Sequence, residues 1–193
     1  MLDSLIAVDK ELMLAINGRQ NVVFDFIMPM LSSKWSNVPL LAAILAFAWF
    51  RLKRRDFIFM TIAIAVTFAL TDSLSVALFK DTIQRFRPCW DPEIMDKVRL
   101  LEYRGGKFGF ISSHAANLFG LAMITLLFIR NRGYAILIFL WAATVGFSRV
   151  YVGKHFPGDV ICGAIFGLLI GWIVYTAIGC IRKHACKSNG GNR

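Results

Sequence analysis

Residues 148–159, with the sequence SRVYVGKHFPGD, lie between two long apolar segments and bring a guanidinium, an imidazole and a carboxylate together. Pro157 suits the first turn of a helix, because its missing N–H would have no partner there, so the next apolar run should begin as a helix at this point. Asp159 then lies four residues after His155, where its carboxylate can hold one ring nitrogen and leave the other to attack or to carry a proton. Arg149 is a candidate anion contact. The stretch indicates chemistry at a membrane surface.

The composition indicates an integral membrane protein. Of the 193 residues 57% are hydrophobic, against roughly 45–50% in soluble domains, and the mean hydropathy is +0.60. No linker or low-complexity run divides the chain, so we predict a single domain over residues 1–193. The net charge of +10 lies between apolar segments, which argues against nucleic acid and favours membrane lipids or a lipid phosphate as partners. The four cysteines show no paired spacing and predict no disulfide framework.

Residues 1–34 precede the predicted membrane core. In residues 1–17 apolar side chains recur at helical spacing, which predicts an amphipathic helix on the bilayer or, equally, a helix packed on the protein's own spans. Residues 22–31 are apolar but contain Asp25 and Pro29, so a re-entrant or interfacial segment is favoured and a sixth crossing is left open.

The core, residues 36–181, is predicted to be an all-α bundle of five transmembrane helices, or six if residues 22–31 also cross. The predicted spans are 36–52, 57–79, 113–130, 134–152 and 158–181. In the last one Gly163, Gly167 and Gly171 form a stripe of small residues that favours close packing of another helix, within the chain or in a dimer; internal packing is the favoured interpretation. The sequence does not predict an oligomeric state.

Basic residues between the spans predict the orientation. The links 51–55 and 130–133 and the tail 182–193 are basic and short, so they should share the cytoplasmic face. His184, within that tail, is predicted to be a solvated residue. The long loop 80–112 and the stretch before Asp159 should then share the outer face.

Three polar clusters end up on that outer face, although they are far apart in sequence. They are residues 80–88, residues 112–114 and residues 148–159. Helices that cross back and forth should bring them together. The resulting site would place Lys80, Arg87 and Arg149 around the imidazoles of His114 and His155.

This combination predicts phosphoryl transfer without a metal or another cofactor. The lysine and the two arginines can neutralise a phosphate, and Ser112, Ser113 and the N–H groups of a helix start add donors. One histidine can attack phosphorus while the other protonates the departing oxygen. A zinc site fits less well, because three nearby cations would repel the metal and no HExxH or CxxC spacing is present.

The same residues resemble the signature of a known family. Lys80-x6-Arg87-Pro88, then Ser112-x-His114, then Ser148-Arg149-x5-His155-x3-Asp159 is similar to the three-part motif of the type 2 phosphatidic acid phosphatase superfamily. The resemblance implies that His155 forms a phosphohistidine, that Asp159 orients it and that His114 is the general acid. It also implies that the phosphate is held by Lys80, Arg87, Ser112, Ser113 and Arg149. The family's second motif usually reads Pro-Ser-Gly-His, whereas here Ile111 and Ser113 stand at the Pro and Gly positions.

We therefore predict a metal-independent, two-step phosphatase that removes a terminal phosphate from a lipid monophosphate or diphosphate. The resemblance and the small size imply a bacterial inner-membrane enzyme with its site on the periplasmic face. Undecaprenyl diphosphate is the favoured substrate, with phosphatidylglycerol phosphate, phosphatidic acid and lipid A as alternatives. Other hypotheses are phosphotransfer to an acceptor other than water, and a non-catalytic transporter or scaffold that binds lipid phosphates.

Four further polar residues lie close to the motifs. Arg85 and Lys154 are predicted to be solvated or to contact headgroups. Asp72, two turns before Lys80, and Asn117, one turn after a motif histidine, are hypothesised to support the motif residues from behind.

Overall fold

The structure is a computed structural model that describes residues 2–190, with side chains for residues 3–33 and 35–182. The basic side chains of the tail beyond Arg182, together with His184, lie outside the described residues. Within the described part the chain is helical, and the sole extended pairing is an isolated antiparallel bridge between Phe86 and Phe108. The predicted all-α fold is confirmed.

Seven helices make up the described chain, joined by short 3₁₀ turns at Lys34–Ser36, Pro88–Trp90 and Met95–Lys97. The fourth helix, α4, continues through a π-helical turn, Val76–Lys80, into a last turn, Asp81–Ile83. The bounds are α1 Leu2–Asn17, α2 Val22–Ser32, α3 Asn37–Arg51, α4 Arg54–Ser75, α5 Ser113–Ile129, α6 Arg132–Tyr151 and α7 Pro157–Gly190. Helices α3 to α7 correspond to the five predicted spans.

Local sequence signals explain where these helices begin. Asn21, Ser112 and Asn131 each precede a helix, and the side-chain oxygen of each accepts hydrogen bonds from backbone N–H groups in the first turn. Pro157 occupies the first position of α7, as predicted. The cap at Ser112 matters for the site, because it places His114 in the first turn of α5.

Three helical segments are long and apolar enough to cross a membrane: Arg54–Ile83, Arg132–Tyr151 and Pro157–Arg182. Helices α2 and α3 satisfy the same criterion only together, and they are bent by 63° at the break between them, as in a broken span or a re-entrant loop. Helix α5 is apolar but has 17 residues. The membrane character of the chain is confirmed, while the count of five or six crossings stays a prediction.

Helix α5 packs most closely against α7, along the predicted glycine stripe. A Cβ atom on Gly163 would lie 2.5 Å from the carbonyl oxygen of Ser112, and one on Gly171 would lie 2.9 Å from that of Gly120. At Gly167 a Cβ would overlap the backbone of α5. The stripe therefore serves internal packing, and the two helix backbones touch where each carries part of the site.

Helix α1 packs on the protein's own chain through its polar side chains. Asp9 accepts a hydrogen bond from the N–H of Gly158 at 2.8 Å, and buried Asn17 donates to the carbonyl of Tyr151 at 2.7 Å. Its exposed side chains include the apolar residues Leu5, Val8 and Leu12. These polar contacts agree with the alternative that α1 packs on the protein's own helices. That α1 lies on a bilayer stays a prediction.

Candidate active site

The three polar clusters meet around one cavity of about 910 Å³. Six of the eight predicted site residues line it, and Ser112 and Asp159 lie directly behind the wall. The six are Lys80, Arg87, Ser113, His114, Arg149 and His155. The convergence expected from the alternating spans is therefore present in the fold.

His155 lies at the end of the loop between α6 and α7 and is 2% exposed. Its Nδ1 lies 3.4 Å from Oδ2 of Asp159. Because a carboxylate only accepts, Nδ1 is the ring nitrogen that carries the proton in this contact, which leaves Nε2 available to the cavity. Burial lowers the pKa of His155 well below its usual value, and the surrounding cations, Arg87 first among them, lower it further. The imidazole is therefore neutral near pH 7, and Nε2 keeps the lone pair that a nucleophile needs.

Asp159 is fully buried and is held by Arg85. One guanidinium nitrogen of Arg85 contacts Oδ1 of Asp159 at 2.8 Å and the other contacts Asp9 at 2.7 Å, while the guanidinium lies 4.1 Å above the Phe156 ring. Of the two alternatives predicted for Arg85, the solvated one was wrong, and a headgroup contact stays a prediction. Gln84, with φ of 51°, ends the last turn of α4 and redirects the chain, so that the next side chain points inward.

Lys80 is tied to the start of α5. Its ammonium donates to the hydroxyl of Ser113 at 2.6 Å, and that hydroxyl is also 2.7 Å from the hydroxyl of Ser75. The π-helical turn at Val76–Lys80 carries the lysine to the end of α4, where it reaches the same cavity as His114. The Lys80 ammonium and the His114 imidazole are thus positioned by two neighbouring helices, α4 and α5.

Arg87 forms another part of the cationic wall. Its Nε donates to the carbonyl of Phe108 at 3.1 Å, and its backbone N–H donates to that of Lys107 at 2.9 Å. Burial lowers the pKa of Arg87, which remains charged at neutral pH. A Cβ on Gly109 would come within 2.7 Å of the arginine side chain and 3.5 Å of His155 Nδ1, so glycine is required for this backbone to approach both.

Arg149 is 5% exposed and is anchored from behind the cavity. Its Nη1 donates to the carbonyl and hydroxyl oxygens of Ser32 and lies 3.4 Å from Glu102. Among the described side chains, its Nε is a buried donor without a hydrogen-bond partner. Sequence reasoning missed Ser32 and Glu102, because neither lies in a motif.

Lys154 is a cationic residue that the sequence analysis placed in solvent or against headgroups. The solvent alternative was wrong, because the residue is 5% exposed and its Nζ lies beside Gly105, which lines the cavity; a headgroup contact stays a prediction. Gly153, with φ of 83°, turns the chain at the end of α6 and directs the lysine inward. Burial lowers the pKa of the Lys154 ammonium, and Arg149 lowers it further.

Ser112 does not line the cavity. Its hydroxyl accepts the N–H of Ala115 at 3.4 Å, and its own N–H donates to the carbonyl of Asp159 at 3.0 Å. Ser112 therefore caps α5 and joins α5 to α7, and its role in phosphate binding stays a prediction. Asp72 and Asn117, hypothesised to lie behind the motif residues, are instead on the cavity wall.

Known proteins with similar sequences indicate the family. The sequence profile of the PAP2 superfamily matches residues 56–182. Lipid A 4'-phosphatases from Porphyromonas gingivalis and Bacteroides thetaiotaomicron are 35% and 36% identical, with 90% and 91% of this chain and 74% and 79% of those proteins covered. An undecaprenyl-diphosphatase from Sulfolobus acidocaldarius is 29% identical, with 87% of this chain and 76% of that protein covered.

A solved structure shows the same fold. The crystal structure of Aquifex aeolicus LpxE superposes with a TM-score of 0.64 at 26% identity, with 86% of this chain and 93% of that chain covered. The resemblance based on the three motifs is confirmed by the family profile. The chain is a membrane phosphatase that belongs to the PAP2 superfamily.

Proposed function

We propose that the protein removes a phosphate monoester from an acylated amino-sugar lipid of the lipid A type, at the periplasmic face of the bacterial inner membrane. The observation that carries the chemistry is the shared cavity in which His155 and His114 face three basic side chains. The choice of lipid is supported by the two lipid A 4'-phosphatases, whose similarity extends over about nine tenths of the present chain.

In the first step Nε2 of His155 attacks phosphorus, and the bond between phosphorus and the sugar oxygen breaks. His114 gives its proton to that oxygen, so the sugar leaves as an alcohol and a phosphohistidine remains. Asp159 holds Nδ1–H and stabilises the positive charge that the attacking ring acquires. The cationic side chains compensate the charge on the phosphoryl oxygens throughout the step.

In the second step water replaces the sugar. His114, now neutral, takes a proton from the water, whose oxygen attacks phosphorus and breaks the P–N bond. Inorganic phosphate leaves and His155 returns to its neutral form. No step of this cycle requires a metal ion, because positively charged side chains occupy the positions around the phosphate.

Undecaprenyl diphosphate, the substrate favoured from sequence, is less well supported. The undecaprenyl-diphosphatase resembles this chain at 29% identity, below the lipid A 4'-phosphatases. A purely binding role is also less well supported, because anion binding requires cations but not a neutral imidazole held by a buried carboxylate.

The test is phosphate release from 4'-phosphorylated lipid A by detergent-solubilised protein in the presence of a chelator. We expect release by the wild type and none by His155→Ala. Lys10→Met, which removes an ion pair with Asp91 outside the cavity, is the control and should retain activity. Wild-type protein that releases no phosphate from lipid A would contradict the proposed substrate, and an active His155→Ala would contradict the mechanism.

The proposed orientation has its own test. A cysteine introduced at an exposed position of the 80–112 loop, such as Tyr103→Cys, should react with a membrane-impermeant reagent added to intact spheroplasts. A cysteine at Lys53 in the link between α3 and α4 is the matched control, because it should react only after the membrane is opened. The reverse pattern would place the site on the cytoplasmic face.

A further inference from the structure

The cavity extends beyond the phosphate-binding residues, along α4 and α5. In this part four polar side chains stand among apolar ones such as Phe68 and Leu118, although a lipid tail alone would require apolar ones only. They are Asn37, Asp72, Ser73 and Asn117, which we call the polar subsite. Polar groups within membrane helices are energetically costly and mark ligand-binding positions when they face a cavity.

Asn117 fixes the distance of the polar subsite from the reaction centre. It lies three residues after His114, on the same face of α5 and about one turn, or ~5 Å, along the helix axis. Its side-chain oxygen accepts the hydroxyl of Thr71 on α4 at 2.5 Å. The amide NH₂ is therefore the group available to the cavity, next to the position of the leaving alcohol.

Asn37, at the start of α3, also has a side-chain amide whose oxygen is bound by the protein. Its side-chain oxygen accepts the indole N–H of Trp141 at 3.4 Å, so its NH₂ is likewise available as a donor. Two amides from different helices thus have their oxygens bound by the protein. The polar subsite consequently presents fixed donors, which require carbonyl or hydroxyl oxygens on the ligand.

Asp72 supplies the complementary acceptor. It follows Thr71 directly, so it lies at the level of Asn117 and one turn from Ser75, the α4 residue that contacts Ser113. A carboxylate only accepts hydrogen bonds, and Ser73 beside it can donate or accept. The ligand part that occupies this position must therefore also carry N–H or O–H donors.

We infer that the polar subsite binds the acylamino sugar next to the scissile phosphate; this inference rests on the proposed function and names its specificity residues. Such a sugar has carbonyl oxygens for the amides and N–H and O–H groups for Asp72. The hydrocarbon of a polyprenyl monophosphate offers neither kind of group, whereas a diphosphate would offer the oxygens of its second phosphate to the amides. The diacylglycerol part of phosphatidic acid offers ester carbonyls but no donor.

This difference makes two variants informative. Asp72→Leu removes the acceptor, so the ratio of kcat/KM for lipid A to that for phosphatidic acid should fall about tenfold, the value of one hydrogen bond to a charged group. Asn37→Leu removes a donor, so the ratio for lipid A to farnesyl phosphate, a short polyprenyl monophosphate, should fall about fivefold. Thr61→Val, an exposed position on α4 away from the cavity, is the control.

The measurements use full-length protein and the three substrates in the same detergent micelles. Equal losses on all three substrates in Asp72→Leu and Asn37→Leu would indicate a structural role and overturn the inference, as would unchanged ratios. If the wild type releases no phosphate from lipid A but hydrolyses another substrate, the proposed function fails. The ratio of phosphatidic acid to farnesyl phosphate in Asn37→Leu then still tests whether the subsite binds carbonyl groups.

Discussion

Replacement of Arg85 by leucine tests how the nucleophile is held. The guanidinium makes a charged hydrogen bond to Asp159 at 2.8 Å and another to Asp9 at 2.7 Å. Without it, fully buried Asp159 keeps only the N–H of Phe156 and the ring of His155. Removal of one partner of a buried ion pair costs ~3–5 kcal/mol. If ~3 kcal/mol of this is lost from the transition state, kcat falls about a hundredfold.

The assay is steady-state phosphate release with kcat and KM measured separately. Arg85 touches the carboxylate and not the substrate space, so we expect kcat to fall and KM to change little. Arg85→Lys, which can restore one of the two contacts, should recover part of the rate. Lys10→Met, which breaks ion pairs between α1 and the 80–112 loop, is the matched control and should leave kcat unchanged.

Two results would refute this reasoning. A raised KM with an unchanged kcat would mean that Arg85 contacts the lipid headgroup, as its sequence position first suggested. Unchanged kcat and KM in Arg85→Leu would mean that Asp159 does not depend on the arginine for its position.

Three other predictions follow from the geometry. Lys154→Met removes a cation that lowers the pKa of His155, so this pKa should rise. The acid limb of the pH profile of kcat/KM, which marks the loss of the neutral imidazole as the pH falls, should therefore move to higher pH. A limb that stays in place would contradict this. Ser113→Ala removes the hydroxyl that holds the Lys80 ammonium, so kcat/KM should fall about tenfold. A wild-type value of kcat/KM would show that the contact is dispensable. Gly167→Ala forces a methyl group into the backbone of α5 and should lower the free energy of unfolding by ~1–3 kcal/mol, seen as a lower Tm. Gly179→Ala, in open space on the same helix, is the control and should not change the Tm. Equal Tm values for the two variants would contradict the packing.

The sequence predicts much of the fold because span length, glycine spacing and helix caps are local signals. The stripe at Gly163 and Gly167 indicated a close helix contact, and Pro157 indicated the start of α7. The motif residues could be placed together because alternating spans return to the same face. Their association with a known family then identified the chemistry.

The errors arose where a single residue redirects the chain. Gln84 and Gly153 adopt positive φ and turn Arg85 and Lys154 inward, which hydrophobic periodicity does not reveal. Ser112 illustrates another limit of the sequence, because the same serine can bind a phosphate and cap a helix, and the cap is visible only in the contact with Ala115. Such positions depend on backbone geometry over a few residues.

The contacts of Asp9 have a consequence for how the site is assembled. This residue on α1 binds both Arg85 and the first turn of α7, so three segments meet at the same carboxylate. The cationic side chains before residue 150 come from other parts of the chain than the nucleophile, which belongs to residues 155–159. Docking of α1 against α7 and completion of the active site are therefore the same event.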